Sequence, residues 1–230
     1  MLTLPLFDID RYRFDGSVDA LADTFDRDHY ARLPGLLTWD GLDALRAEAL
    51  HLEKFARRRD FLMESMENSP RHMTTIGGHT IAEHSNLIPH LYANTHLTDL
   101  IRRIVSVDIV PVPDQVERFV INYLHRPGDV HGAHFDDHPI AFVAFLEAPP
   151  RGSGGELEMV PRAQSLLDIE SEGVRRFSHD AGDCYLLKAD TSAHRVTPLA
   201  AAARRVVLNM AFASPESAKV RSESALLLYS

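Results

Sequence analysis

Three histidines and an aspartate that can hold or move charge stand out in the segment PGDVHGAHFDDHP: His131, His134, Asp136 and His138. Steps of three and four could set the histidines along one helix face, but Pro127, Gly128, Gly132 and Pro139 break such a helix. A strand fits better. Residues two apart in a strand project from one face, so His134 and Asp136 point together, with Phe135 opposite. One imidazole and one carboxylate at that spacing make two thirds of a metal site, which a histidine from a distant strand completes. His194, in GDCYLLKADTSAHRVTPL, follows a strand and a polar turn and is the natural third donor. Two histidines and one carboxylate occupy one face of a metal and leave three positions open, a geometry that suits Fe(II) and O2 chemistry. Nitrogen and oxygen donors without thiolate favour Fe(II), although zinc or manganese accept the same set.

A frame must bring His134 and His194 together across about sixty residues. From residue 112 onward, short apolar runs (RFVINYL, IAFVAFL, GELEMV, DCYLLK, RRVVLNMAF) alternate with Gly, Pro, Asp and Ser clusters. Many short strands bounded by turn residues predict a sandwich or barrel. The first half reads as helical. Leu42, Leu45, Ala49, Leu52 and Ala56 form one apolar stripe that Thr38 or Asp40 can cap, and Arg57–Arg59 suit a helix C-terminus. Further helices are expected over 97–105 and near 19–31. Helices first and strands afterwards disfavour a doubly wound parallel sheet. The expected fold is mainly β: a jelly roll, with the N-terminal helices packed outside its major sheet. One domain is expected over 1–230, divided into a mainly helical part (1–111), a β core (112–214) and a C-terminal segment (215–230). Gly77-Gly78 is read as a hairpin turn flanked by His72, His79 and His84, in a segment that can cover the site.

Composition narrows the function. The chain has 230 residues and a formal charge of -9, which argues against a nucleic-acid surface. Its single cysteine, Cys184, excludes a disulfide scaffold and any multi-cysteine cluster, and suits a reducing cytoplasm. No apolar run is long enough to span a membrane, and MLTLPLFDIDRYRFDG carries acids where a secretory leader needs a basic start. Of the thirteen histidines, His29, His51, His90, His96 and His179 lack ligand spacing and are expected at the surface or on helix faces.

The order of motifs from 117 to 214 resembles the Fe(II)/2-oxoglutarate-dependent dioxygenase superfamily. It comprises His134-x-Asp136, Gly154-Gly155-x-Leu157, Gly182-Asp183, His194-x-Val196-x-Pro198 and then a basic residue. The resemblance implies a double-stranded β-helix core, Fe(II) held by His134, Asp136 and His194, and 2-oxoglutarate and O2 as co-substrates. The far carboxylate of 2-oxoglutarate needs a cation, best an arginine with its bidentate fork. Arg204 has the commonest family spacing, whereas Arg205 shares its strand face with Val207, Asn209 and Ala211. The face argument favours Arg205. Tyr123 resembles the tyrosine that many relatives aim at 2-oxoglutarate. In the superfamily's radical halogenases a small residue replaces the carboxylate ligand and makes room for chloride. Asp136 fills that position here, which implies hydroxylation.

Within the superfamily the chain resembles the carrier-protein-independent, lysine-type amino-acid halogenases and their hydroxylase relatives. That resemblance implies a small free amino acid as partner, cationic and lysine-like, met by Arg71, Glu117, His131, Asp137, Asn209 and Tyr229. Arg71 would take an α-carboxylate, and Glu117 and Asp137 ammonium groups, because buried charges need pairing. Ala211 departs from the polar residue expected of the group. Two other readings stand beside this one: the same chemistry on a protein side chain, and a non-catalytic cupin-like metal module. Cupins typically carry His-x-His where this chain has His134-Phe135-Asp136.

Overall fold

A computed structural model describes residues 6–12, 17–200, 202–220 and 222–230. The segment read for a leader lies largely outside them. The described strands are β1 (Tyr30–Arg32), β2 (Arg57–Met63), β3 (Ser69–Ile76), β4 (Val110–Pro111), β5 (Phe119–Leu124), β6 (Val130–His134), β7 (Ile140–Glu147), β8 (Leu157–Pro161), β9 (Arg175–Phe177), β10 (Cys184–Lys188), β11 (Ser192–Val196) and β12 (Arg205–Ala213). They form one curled antiparallel sheet in the order β1-β10-β7-β12-β5-β3-β6-β11-β8-β9, with β2 added to β3 and β4 to β12. This is the mainly β jelly roll expected. The helices are α1 (Ser17–Asp28), α2 (Trp39–Leu52), α3 (Gly78–His84), α4 (Leu87–Tyr92), α5 (Thr95–Val105), α6 (Gln115–Arg118) and α7 (Glu223–Tyr229). None is long and apolar enough to cross a membrane among the described residues.

The central strands read as continuous apolar runs because both of their faces are covered. On one face Ile121, Tyr123, Phe142, Ala144, Val206, Leu208 and Met210 join the core that includes residues of α2 and α5. On the other, Ala141, Val143, Phe145, Val207, Tyr185, Leu187 and Leu157 line the interior of the roll. Each fully buried large apolar side chain contributes roughly 1.5–3 kcal/mol, so strand register is strongly fixed. A shift of one residue in β12 would exchange Arg205 and Asn209 for Val206 and Met210.

Three local expectations are corrected. The apolar stripe does form α2, and Thr38 caps it by accepting from the Gly41 amide at 2.9 Å, but the helix stops at Leu52. Arg57–Arg59 instead open β2, which pairs with β3 through seven residue pairs. There Arg58 donates to the buried carboxylate of Asp129 at 2.6 Å. Gly77-Gly78 makes no hairpin: Gly77 caps α3 and Gly78 begins it. A Cβ on Gly77 would lie 2.0 Å from the Tyr229 carbonyl oxygen, and one on Gly78 1.9 Å from that of Gln115. The pair is small so that α7 and α6 can approach. His72, His79 and His84 therefore cover nothing in the pocket described below. Finally, part of the N-terminal region is strand: β1 follows α1 directly, and β2 and β3 extend the sheet.

Candidate metal centre and its pocket

β6 and β11 are hydrogen-bonded neighbours, and His134 and His194 are paired across them in register. Just beyond β6, the Asp136 amide donates to the Ala189 carbonyl at 3.1 Å, and the Ala189 amide donates to the Pro139 carbonyl at 2.8 Å. Those two bonds clip the 135–139 loop onto the turn before β11 and place the Asp136 carboxylate between the imidazoles. His134 Nε2 lies 3.4 Å and His194 Nε2 3.7 Å from the same oxygen, Asp136 Oδ1. Each imidazole donates from Nδ1 to a backbone carbonyl two residues earlier, His134 to Gly132 at 2.8 Å and His194 to Ser192 at 2.9 Å. A carbonyl oxygen only accepts, so the proton sits on Nδ1 and both Nε2 lone pairs are free for one shared centre.

Burial reinforces this. Desolvation, with the neighbouring His194 and His131, holds His134 well below the ordinary imidazole range, so it is neutral and able to ligate. Desolvation by the enclosing walls also pushes the Asp136 carboxyl up. A cation between the three would reverse that cost. Among the described residues, this trio alone gathers three possible ligand atoms within 4.8 Å of one another.

The trio opens into a pocket that also contains Arg205, Arg71, Glu117, His131, Asp137, Asn209 and Tyr229. Arg205, 2% exposed, donates through Nε to the Gly155 carbonyl at 3.0 Å and makes no ion pair with a carboxylate among the described residues. Gly154 and Gly155 both have positive φ, and a Cβ on Gly154 would stand 1.9 Å from the Pro198 carbonyl oxygen. This glycine turn is therefore what lets the chain approach both Arg205 and the end of the His194 strand. Arg204 points the other way. It binds Glu53 through both terminal nitrogens, at 3.1 and 3.0 Å, and Glu147 through Nε at 3.0 Å, outside the pocket.

Arg71 is fully buried and carries no carboxylate partner either. Its Nη1 donates to Ser69 Oγ at 2.9 Å and to the Pro70 carbonyl at 3.1 Å, while Nε has no partner. Burial draws its pKa down to about 10. Glu117 accepts from His138 Nε2 at 3.1 Å, and Asp137 accepts from the Ser224 hydroxyl at 3.3 Å. His131 stacks on His134 with ring centroids 4.1 Å apart, and its buried Nε2 is unpartnered. Asn209 Oδ1 is buried and unpartnered as well.

Tyr123 is the sequence expectation that fails. Alternation along β5 turns it to the helix side, where its hydroxyl donates to the Ala49 carbonyl at 2.8 Å. Its neighbour Asn122 faces the pocket instead, with Oδ1 buried and unpartnered and its amide on the Tyr229 hydroxyl. The tyrosine in the pocket beside Arg205 is Tyr185 of β10, whose hydroxyl burial pushes up. Asn122 and Tyr185 are both readable: each alternates with residues that face the helices, Ile121 and Tyr123 in β5 and Cys184 and Leu186 in β10. His29 and His179 are also corrected, being buried rather than superficial.

The chain matches the family described as HalD, Halogenase D, over residues 14–225. It belongs to that family. Comparison with curated protein sequences gives no significant match. Solved structures place this Halogenase D family member in a common fold. The 2-oxoglutarate-dependent epimerase SnoN from nogalamycin biosynthesis matches with a TM-score of 0.68 at 14% identity, covering 86% of this chain and 81% of that one. A prolyl hydroxylase from Trichoplax adhaerens, in complex with a hypoxia-inducible-factor peptide, gives 0.68 at 13% identity, covering 94% and 97%. HygX from Streptomyces hygroscopicus, with nickel and 2-oxoglutarate bound, gives 0.66 at 12% identity, covering 85% and 87%. At these identities the likeness speaks for the fold.

Proposed function

We propose that this protein is an Fe(II)- and 2-oxoglutarate-dependent oxygenase that hydroxylates an unactivated C–H bond of a small free amino acid, cationic and lysine-like. One observation carries the reading. A single pocket joins a His-Asp-His donor set to two buried arginines that have no carboxylate partner among the described residues, and to the acidic Glu117 and Asp137.

The residues fit the groups they would hold. Two Nε2 lone pairs and one carboxylate suit Fe(II), and a buried, unpaired Arg205 suits the far carboxylate of 2-oxoglutarate. When bound, the iron and 2-oxoglutarate supply O2-dependent decarboxylation to succinate and CO2, coupled to insertion of one oxygen atom into C–H. The chain does the rest. Gly132 and Ser192 carbonyls keep His134 and His194 in the ligating tautomer. Asp136 occupies the position that a halogenase leaves to chloride, which is why hydroxylation is assigned within a family described as halogenase. Gly155 fixes Arg205 through Nε and leaves its terminal nitrogens for a carboxylate, with Tyr185 beside them.

At the other end, Arg71 takes the α-carboxylate of the amino acid. Glu117 and Asp137 take its ammonium groups, and Asn209 and Asn122 offer amide oxygens that lack partners. Leu228 and Val120 add buried apolar side chains to the pocket wall. The test is an anaerobic titration of the Fe(II)- and 2-oxoglutarate-loaded protein with cationic, neutral and acidic amino acids, read in the visible charge-transfer band. Lysine-like amino acids should perturb the band at low concentration. A response confined to neutral or acidic amino acids would overturn the substrate class.

A further inference from the structure

Arg205 is a buried full charge with no carboxylate partner among the described residues, and an aromatic ring packs against it. Its Cζ lies 4.8 Å from the centroid of the Phe145 ring. Phe145 in turn stacks on the His179 imidazole at 4.5 Å and 19°. His179 is buried, and its Nε2 meets the Tyr30 hydroxyl at 2.9 Å. Tyr30 is itself held by Arg32 Nε at 3.1 Å and by a stack on Phe177 at 4.1 Å. None of Tyr30, Phe145 or His179 lines the metal pocket.

We propose that His179 is a positioning residue: its ring backs Phe145 against Arg205 and so sets how tightly the protein binds 2-oxoglutarate. The proposal rests on Arg205 receiving that co-substrate, as set out above. A guanidinium over an aromatic face gains electrostatic attraction that grows when both are desolvated. That attraction depends on the ring staying in place, and Phe145 sits at the edge of the small cavity lined by Pro149, Gly152, Gly155 and His179. Without the imidazole, Phe145 can relax into that space and away from Arg205. The backing group must also be uncharged, because a cation behind Phe145 would repel Arg205. Burial, with Arg32 and Arg205 nearby, pushes His179 down to about 2, so it stays neutral across the working range. Its Nδ1 is buried and unpartnered, a polar atom tolerated where a phenyl ring would serve for packing alone.

Two substitutions separate the ring from its hydrogen bond. His179→Gln keeps a partner for Tyr30 and removes the ring, whereas His179→Phe keeps the ring and removes the partner. The readout is the Kd of 2-oxoglutarate for the anaerobic Fe(II)-loaded protein, measured by absorbance, beside Fe(II) affinity and thermal unfolding. The expected result is a Kd raised about three- to tenfold in the Gln variant, a near wild-type Kd in the Phe variant, and unchanged Fe(II) affinity in both. Should the Gln variant not fold, His179→Leu set against His179→Phe still isolates the ring, because both lack a partner for Tyr30. Equal 2-oxoglutarate affinity in wild type and the ring-less variant overturns the proposal, as does an equal loss in the Gln and Phe variants. Failure of the wild type to bind 2-oxoglutarate at all overturns the reading of Arg205, and this proposal with it.

Discussion

Arg204 and Arg205, adjacent in β12, have opposite fates: the first is bound by Glu53 and Glu147 at the surface, and the second is buried with only the Gly155 carbonyl on Nε. The pairing raises the pKa of Arg204, whereas burial lowers that of Arg205. A partly exposed arginine already gripping two carboxylates has little left for a ligand, and its pairs contribute on the order of 1 kcal/mol or less. Arg205→Met should therefore weaken 2-oxoglutarate binding at least about tenfold. Arg204→Met should leave that affinity unchanged and lower stability slightly. Calorimetric titration of both variants checks this, and a reversed order would move the co-substrate site.

One oxygen of Asp136 lies 3.4 and 3.7 Å from the two Nε2 atoms, so its removal deletes a metal donor without disturbing either Nδ1 bond. Asp136→Ala should lower Fe(II) or Mn(II) affinity by roughly ten- to a hundredfold or more, since even outer-shell changes reach that size. Hydroxylation should disappear while the fold survives. Metal titration with circular dichroism measures both, and unchanged turnover would remove the assignment.

Arg71 is enclosed by Ser69, Pro70 and Gly132 carbonyls, acceptors that cannot neutralise it. Replacing it with Met should raise the KM for the amino acid by about ten- to a hundredfold, with 2-oxoglutarate affinity intact. Glu117→Gln should relax the preference for a cationic side chain, and Glu117 is also the acceptor of His138. Steady-state kinetics on paired cationic and neutral amino acids separates these effects. An Arg71 variant with wild-type KM would place the carboxylate elsewhere.

Tyr123 gives a prediction by contrast with its place in the motif. Its hydroxyl ties β5 to α2 through the Ala49 carbonyl, on the helix side of the sheet. Tyr123→Phe should cost about 1 kcal/mol of stability and leave 2-oxoglutarate affinity unaltered. Denaturant unfolding and ligand titration together decide it.

Much of this site was legible because period-two alternation is a strong constraint when both sheet faces are buried. It placed Arg205, Val207, Asn209 and Ala211 on one face of β12, but it does not account for Asp136: β6 ends at His134, and Phe135 and Asp136 lie in the loop beyond it, both lining the pocket. The same rule applied to β5 turns Asn122, not Tyr123, to the pocket, so strand geometry overrides the family likeness there. Arg57–Arg59 were misplaced because a basic triplet after an apolar stripe looks like a helix end. Only the long-range partner Asp129 and the pairing with β3 make it a strand. The stack of Arg205, Phe145 and His179 was invisible in sequence, since it joins β12, β7 and a loop through contacts that no local spacing encodes.

The central claim is that this pocket hydroxylates a free cationic amino acid. Its most direct measurement is mass spectrometry of aerobic reactions containing Fe(II), 2-oxoglutarate, ascorbate, labelled O2 and a panel of cationic amino acids. The expected product is an amino acid carrying one labelled oxygen atom, formed one-for-one with succinate and absent in Asp136→Ala. Succinate without any oxygenated cationic amino acid, or product formation that survives loss of Asp136, would contradict it.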